Sequence, residues 1–312
     1  MDDGQSEHSI HDKVASWLQT EGYPLEFKTA RRFSDAGFNT SQGEYSRKSK
    51  DTSPREIDVK ASLTSVGDGF LFRAVNVIEC KYSVSKPWVN FVSKNHHIAH
   101  SACAAQSIGN DYGSAMIWST CGSSAISSMN LFKSPEEPCF GGRQAFSSGK
   151  DQFFDAVRAV SGSAVSIAEG YNRPYEHKEG LPTACVLVFP IIVVQGKLFE
   201  AGLNESGSDT FVREVANTRV HWRGSEDRSQ FTTIDIVSFD SIDNFAANRF
   251  QECSQLLRTM ADKHPEFVEF AGSGNPNTVS LSGGSTGMAG PPLLMRKIFE
   301  MYSKGKDVAP SN

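Results

Sequence analysis

Two short apolar segments that contain charged residues constrain most strongly what this chain can fold into. Residues 55–59 read Arg-Glu-Ile-Asp-Val, and residues 77–82 read Val-Ile-Glu-Cys-Lys-Tyr. Both segments have the length and the β-branched residues that are typical of strands. Burying Asp58, Glu79 and Lys81 without partners would cost several kcal/mol, so a strand that carries them needs a compensating charge. A metal ion with a charged substrate is the usual compensation.

The spacing of Asp58 and Glu79 predicts that they face each other across a β-hairpin. The two residues are 21 positions apart, so an antiparallel pairing between them has its centre between residues 68 and 69. Asp68-Gly69 stands at that centre, and Asp-Gly is among the strongest short hairpin signals. A β-bulge in either strand would shift this pairing.

Side-chain alternation along the second strand separates its three polar residues. Because successive side chains point to opposite faces, Glu79 and Lys81 share one face and Cys80 takes the other, towards the core. Like charges opposite one another destabilise a strand pair, whereas a divalent cation between Asp58 and Glu79 would make their interaction favourable. Lys81 would then orient a nucleophilic water or stabilise negative charge on a phosphate.

These residues resemble the motif of the PD-(D/E)XK, or restriction-endonuclease-like, nuclease superfamily. That motif places one acidic residue on a strand and an acid-any-lysine triplet on the next, as do Asp58, Glu79 and Lys81. A glutamate on the preceding helix often completes the motif, and Glu26 matches that position. The resemblance covers roughly residues 20–110.

The resemblance implies a metal site and a phosphodiester substrate. Asp58, Glu79, Lys81 and Glu26 would be the catalytic residues. The metal, Mg²⁺ or Mn²⁺ in its place, would be held by Asp58, Glu79, Glu26 and the backbone carbonyl of Cys80. The implied activity is that of a Mg²⁺-dependent DNA endonuclease of the restriction, repair or phage-defence type.

Other interpretations of the same residues remain open. The acid and the lysine of the second strand can form a surface ion pair, and Asp58 can pair with Arg55 or Lys60. Glu26 stands early in its helix, where a glutamate stabilises the positive end of the helix dipole or caps the first turn. The resemblance also has one departure, because Ile57 stands where the motif has its proline.

Three further functions fit this motif. The first is an RNase or an exonuclease of the same fold, so RNA is the alternative to DNA as the partner. The second is a non-catalytic nucleic-acid-binding module that keeps the fold as a scaffold. The third is a small-molecule hydrolase that binds Mg²⁺ but has no affinity for nucleic acid.

Candidate contacts to nucleic acid lie just before the predicted hairpin. Arg47, Lys48 and Lys50 form a basic stretch that can contact a phosphate backbone, and Gln42 precedes it. The alternative is a solvated loop. The formal net charge is −5, which excludes a strongly basic nucleic-acid coat. Predicted helix 89–108 also carries a histidine cluster, His96, His97 and His100, that can contact DNA or a metal or be an ordinary helix surface.

The whole pattern predicts an α/β (α+β) fold with a central mixed β-sheet flanked by helices. We expect a nuclease core over residues 1–125 and an α+β extension or second lobe over 126–270. Residues 271–312 are expected to form a flexible linker and a terminal helix at about 293–303. The predicted helices cover residues 6–20, 24–36, 89–108, 151–169 and 241–261. The predicted strands cover residues 38–45, 56–82 as a hairpin, 115–120, 184–194, 197–201, 211–222 and 232–238, with a turn at 195–196.

The cysteine spacing and the apolar segments indicate which cofactors and which cellular compartment to expect. The six cysteines include no C-x-x-C pair, which argues against a zinc site. The longest apolar run, residues 186–194, is too short for a membrane span and contains Pro190. We therefore expect a cytoplasmic protein without a membrane partner. The sequence leaves open a homo-oligomer or a partner protein.

Overall fold

The computed structural model describes residues 9–20, 22–46, 55–67, 70–149, 151–172, 184–223 and 231–272. Over these residues the protein is a mixed α/β structure with one large sheet and helices on both of its faces. The expected fold class is confirmed. The expected linker and terminal helix lie outside the described residues, apart from the last two residues of a long helix.

The helices follow the chain in the order α1 to α7. Their bounds are Ile10–Thr20 (α1), Tyr23–Asp35 (α2), His100–Ala105 (α3), Asp111–Thr120 (α4), Ser124–Ser127 (α5), Gln152–Gly170 (α6) and Ile242–Gly272 (α7). The first seven strands are Asn39–Ser41 (β1), Glu44–Ser46 (β2), Arg55–Ile57 (β3), Val59–Gly67 (β4), Phe70–Tyr82 (β5), Trp88–Val92 (β6) and Ile108–Gly109 (β7). The remaining strands are Cys139–Gln144 (β8), Ala184–Gln195 (β9), Leu198–Leu203 (β10), Thr210–Val215 (β11), Asn217–Trp222 (β12) and Thr232–Ser238 (β13).

One sheet joins strands from both halves of the chain. Its order among the described residues is β1-β4-β5-β9-β13-β12-β8-β6-β10-β11, with β7 beside β9, while β2 and β3 pair separately. At its centre β5, β9 and β13 run parallel, so their carboxyl ends lie at the same edge. The strands of residues 126–270 therefore extend the sheet of the first 125 residues.

The central strands are buried on both faces. Ile78 of β5 lies in a core with α2, α4 and α7, whereas its neighbour Val77 faces a second core with α6. Strand β9 is apolar along nearly its whole length because it has a core on each side. Pro190 lies where β9 changes partner from β7 to β13, a place where a missing N–H need not remove a ladder hydrogen bond.

Most of the predicted elements are present, including α1, α2, α6, α7 and the hairpin of β4 and β5. The predicted helix 89–108 is wrong in its first part, which forms β6. There Trp88, Asn90 and Val92 are buried while Phe91 is exposed, which is strand alternation. Pairing with β8 and β10 stabilises this conformation over a helix.

Two more element predictions are wrong. Residues 115–120 belong to helix α4, which is buried on all sides between β9 and α7. A short apolar run reads alike as a buried strand or a buried helix, and here the Asn110 side chain caps the helix by accepting from the Gly113 amide. The turn at 195–196 makes no hairpin, because β10 pairs in parallel with β6.

Among the described helices, none combines the length and the apolar character needed to cross a membrane. All six cysteines are described and all are free thiols. Burial raises the pKa of Cys185 and of Cys253 to about 12, so these thiols stay protonated at neutral pH.

Gly37 joins α2 to β1 and generates a prediction about stability. Its φ is +109°, and an added Cβ would lie 2.8 Å from the ring of Phe250 on α7. We expect Gly37→Ala to lower the free energy of unfolding by about 1–3 kcal/mol, because both the backbone and the ring contact would be strained. Denaturant unfolding measures this change.

The matched control is Gly170→Ala at the end of α6. No described atom lies within 4 Å of an added Cβ there, and alanine favours a helix over glycine. Equal stability changes in the two variants would contradict the close approach of α2 and α7 at Gly37.

Candidate active site

The pairing of β4 and β5 begins at Val59, one residue after Asp58. Val59 pairs with Ile78, and Gly67 pairs with Phe70. Continuing this register by one residue brings Asp58 to Glu79, so the predicted hairpin centre is confirmed. The two turn residues themselves lie outside the described residues.

Asp58 stands at a bend between β3 and β4 and binds the next strand. The backbone N–H of Cys80 donates a hydrogen bond to Asp58 Oδ2 at 2.7 Å. The carboxylate therefore takes a position that a strand carbonyl would otherwise occupy. This bond fixes the Asp58 carboxylate beside the backbone of the Glu79-Cys80-Lys81 triplet.

Lys81 and Glu79 share one face of β5, as the alternation predicts. Lys81 Nζ lies 2.5 Å from Glu79 Oε1, and the two side chains are 26% and 13% exposed. The pair is therefore mostly buried and is not a surface ion pair. Burial alone would lower the pKa of Lys81, but the Glu79 carboxylate outweighs it and the pKa is above its ordinary value.

Glu26 brings a third carboxyl group to the same charged cluster. It lies in the first turn of α2, whose N-cap, Gly22, makes no side-chain capping bond. Burial, and then the charges of Asp58, Glu56 and Glu79, raise the pKa of Glu26 from 4.5 to about 7. Burial also raises the pKa of Asp58. The carboxyl groups of Glu26, Glu56, Asp58 and Glu79 face the single ammonium group of Lys81, so acidic groups outnumber basic groups at this site.

The donor set fits a magnesium ion that keeps much of its water. Among the residues that the structure describes, no group of three or more His, Cys, Asp or Glu side chains is arranged to hold a metal. Mg²⁺ is usually bound through one or two carboxylates and retains several waters. Asp58 and Glu79 with the Cys80 carbonyl could therefore hold it, whereas a direct bond from Glu26 would require its side chain to move. The excess of acidic groups favours such an ion.

Cys80 contributes only its backbone to this site. Its thiol packs against the core on the α2 side of the sheet, on the face opposite to Glu79 and Lys81. Burial raises the pKa of the Cys80 thiol well above its ordinary value. The predicted orientation of Cys80 is confirmed, and a thiolate ligand is not expected.

The candidate nucleic-acid contacts are not brought together by the described residues. Gln42 is exposed in the turn between β1 and β2, while Arg47, Lys48 and Lys50 lie outside the described residues. Lys60, considered as a partner of Asp58, instead places its Nζ 2.5 Å from Glu44 Oε1. The other suggested partner, Arg55, has a side chain outside the described set.

The predicted histidine cluster does not form a site among the described side chains. His97 is exposed, and the His100 ring accepts a hydrogen bond from the Ser134 amide at 2.9 Å. That bond ties α3 to the segment that follows α5. The described members of the cluster therefore have surface and structural roles.

A second charged cluster was missed by the sequence reasoning. Asp235 of β13 accepts from Arg219 Nε at 2.7 Å and also pairs with Arg249 of α7. Burial would raise the pKa of Asp235, but the two arginines lower it to about 2. The signal was present, because Asp235 and Arg219 are charges inside apolar strands, as Asp58 and Glu79 are.

Comparisons with known proteins add no relative for this chain. No protein-family model matches it, and neither a curated protein nor a solved structure does. The site is therefore interpreted from its own geometry and charges.

The raised pKa of Glu26 predicts a pH dependence of stability without metal. In the unfolded chain Glu26 ionises near 4.5, whereas in the folded protein it ionises at about 7. Between these values the folded state binds more protons, so this component of stability falls as pH rises. We expect the melting temperature of wild type in EDTA to fall more across this interval than that of Glu26→Gln.

The control for this comparison is Glu205→Gln, at a carboxylate that is 95% exposed. It should follow the wild-type pH profile in the same thermal unfolding measurement. Identical profiles for Glu26→Gln and wild type would show that Glu26 is not in the charged cluster.

Proposed function

We propose that this protein is a metal-dependent nuclease that hydrolyses phosphodiester bonds, acting as a DNA endonuclease. The observation that carries the proposal is the position of Asp58, held by the Cys80 amide at 2.7 Å, beside Glu79 and Lys81, whose Nζ lies 2.5 Å from Glu79 Oε1. This is the arrangement that the restriction-endonuclease-like motif requires. The net charge of −5 is compatible with the proposal because a metal ion neutralises part of the local negative charge.

The carboxylates would bind and position the ion. Asp58 and Glu79 would hold Mg²⁺, or Mn²⁺ in its place, with the Cys80 carbonyl and with Glu26 directly or through water. The ion would supply positive charge beside the scissile phosphate. The bond from the Cys80 amide keeps Asp58 in place before any ion arrives, so the site is partly preorganised.

Lys81 would act on the substrate itself. Its ammonium group stays protonated at neutral pH, because the Glu79 carboxylate holds its pKa above the ordinary value despite burial. The side chain is 26% exposed, so a phosphate can reach it. If Glu79 held the ion, Lys81 Nζ would be available to hold the attacking water or a phosphate oxygen.

A cleavage assay tests this proposal. Supercoiled plasmid, linear duplex, single-stranded DNA and RNA are each incubated with wild type in Mg²⁺ and in EDTA. We expect cleavage of the plasmid in Mg²⁺ alone. Lys81→Ala and Asp58→Asn should each lower the rate by about 100-fold or more, since each removes charge that acts on the reacting phosphate.

Lys197→Ala is the matched control, because it breaks an exposed lysine–glutamate pair, Lys197 with Glu214 at 2.6 Å, whose side chains do not belong to the candidate site. It should cut at the wild-type rate. Site variants as active as the control would show that the site is assigned wrongly.

Cleavage of RNA alone, or only from DNA ends, would favour the RNase or the exonuclease. Binding of DNA without cleavage would favour the binding module, and neither binding nor cleavage would reject a nucleic-acid function.

A further inference from the structure

A cleft of about 510 Å³ lies at the other side of the central sheet from the Asp58 site. It is bounded by the start of β12, at Asn217 and Thr218, and by the start of α7, at Asn244 and Phe245. Asn217 pairs with Val237, so the cleft lies at the carboxyl end of β13. In open α/β sheets, ligands bind beyond the carboxyl ends of parallel strands.

An unpaired buried donor borders this cleft. Arg249 is 2% exposed, and one of its terminal nitrogens pairs with Asp235. Its Nε has no hydrogen-bond partner among the described residues, because the carboxylate oxygen of Glu252 is 3.8 Å away. Because Nε is itself fully buried, no atom in the cleft reaches it, and the guanidinium forms part of the cleft floor.

The charges of the cleft argue against a strongly anionic ligand. Arg219 is fully engaged, with Asp235 and with the carbonyl oxygens of Asn130 and Lys133. The cleft also contains Glu252 and Glu200. The positive charge of the two arginines is therefore matched by carboxylates, and the ligand should be recognised by hydrogen bonds.

The remaining lining groups suit a nucleobase. Asn244 and Asn248 are exposed and lie one turn apart on α7, so both amides face the cleft from the same side. An amide offers a donor and an acceptor side by side, the pattern on the edge of a base. Phe245, between them in the chain, offers an aromatic ring on which a base can stack.

We propose that this cleft binds a nucleoside, with its base held by Asn244, Asn248 and Phe245. The volume is within the range of about 300–1,000 Å³ that small-molecule sites occupy. The site is separate from the Asp58 cluster, because β13, the nearest strand that lines the cleft, lies two strand steps or about 9 Å from β5. The proposal does not depend on nuclease activity.

Isothermal titration calorimetry of the full chain in EDTA tests the proposal without any metal. The probes are adenosine, guanosine, cytidine and uridine, with ribose as the sugar-only comparison. We expect at least one nucleoside to bind and ribose not to bind. The double variant Asn244→Ala with Asn248→Ala should weaken that binding at least 10-fold. Each single variant should weaken it by a smaller factor.

Gln255→Ala is the matched control, since Gln255 is another exposed amide on the same stripe of α7 and lies about 10 Å beyond Asn248 along the helix. It should bind the nucleoside as wild type does. The proposal is overturned if no nucleoside binds wild type, if ribose binds as tightly, or if the Asn variants bind like Gln255→Ala. The two proposals can fail separately. Cleavage of DNA without nucleoside binding rejects the cleft proposal alone, and nucleoside binding without cleavage rejects the nuclease proposal alone.

Discussion

The register between β4 and β5 is the constraint on which the candidate site depends. It brings Asp58 beside Glu79, and the 2.7 Å bond from the Cys80 amide to Asp58 closes the pairing where the strand bends. A shift of one residue would turn Glu79 and Lys81 into the core and bring Cys80 to the site. The register therefore decides which core each side chain of β5 enters, as well as the chemistry of the cluster.

The two charged clusters of the sheet are compensated differently. Asp235 is held by two arginines, and its pKa falls to about 2, so it is an anchor between β12, β13 and α7. Asp58 and Glu26 have raised pKa values, because burial and neighbouring carboxylates outweigh the single lysine. The carboxyl groups around Asp58 therefore outnumber their one lysine, and a cation bound there would offset their charge.

The sequence predicted the local features of the site and missed those that depend on tertiary packing. Asp-Gly at the hairpin centre and the alternation of Glu79, Cys80 and Lys81 are encoded within a few residues, and both predictions hold. Strand β6 and helix α4 were misassigned, because distant partners decide their conformation. The cleft joins the starts of β12 and α7, whose proximity no local pattern encodes.

The central claim is that Asp58 and Glu79 hold a divalent cation beside Lys81. An anomalous difference map from crystals of the wild-type protein grown with Mn²⁺ tests it directly. We expect a peak for Mn²⁺ about 2.1 Å from carboxylate oxygens of Asp58 and Glu79, where Mg²⁺ would bind, with Lys81 released from Glu79. A map with no peak at these carboxylates, and with Lys81 still bound to Glu79, would contradict it.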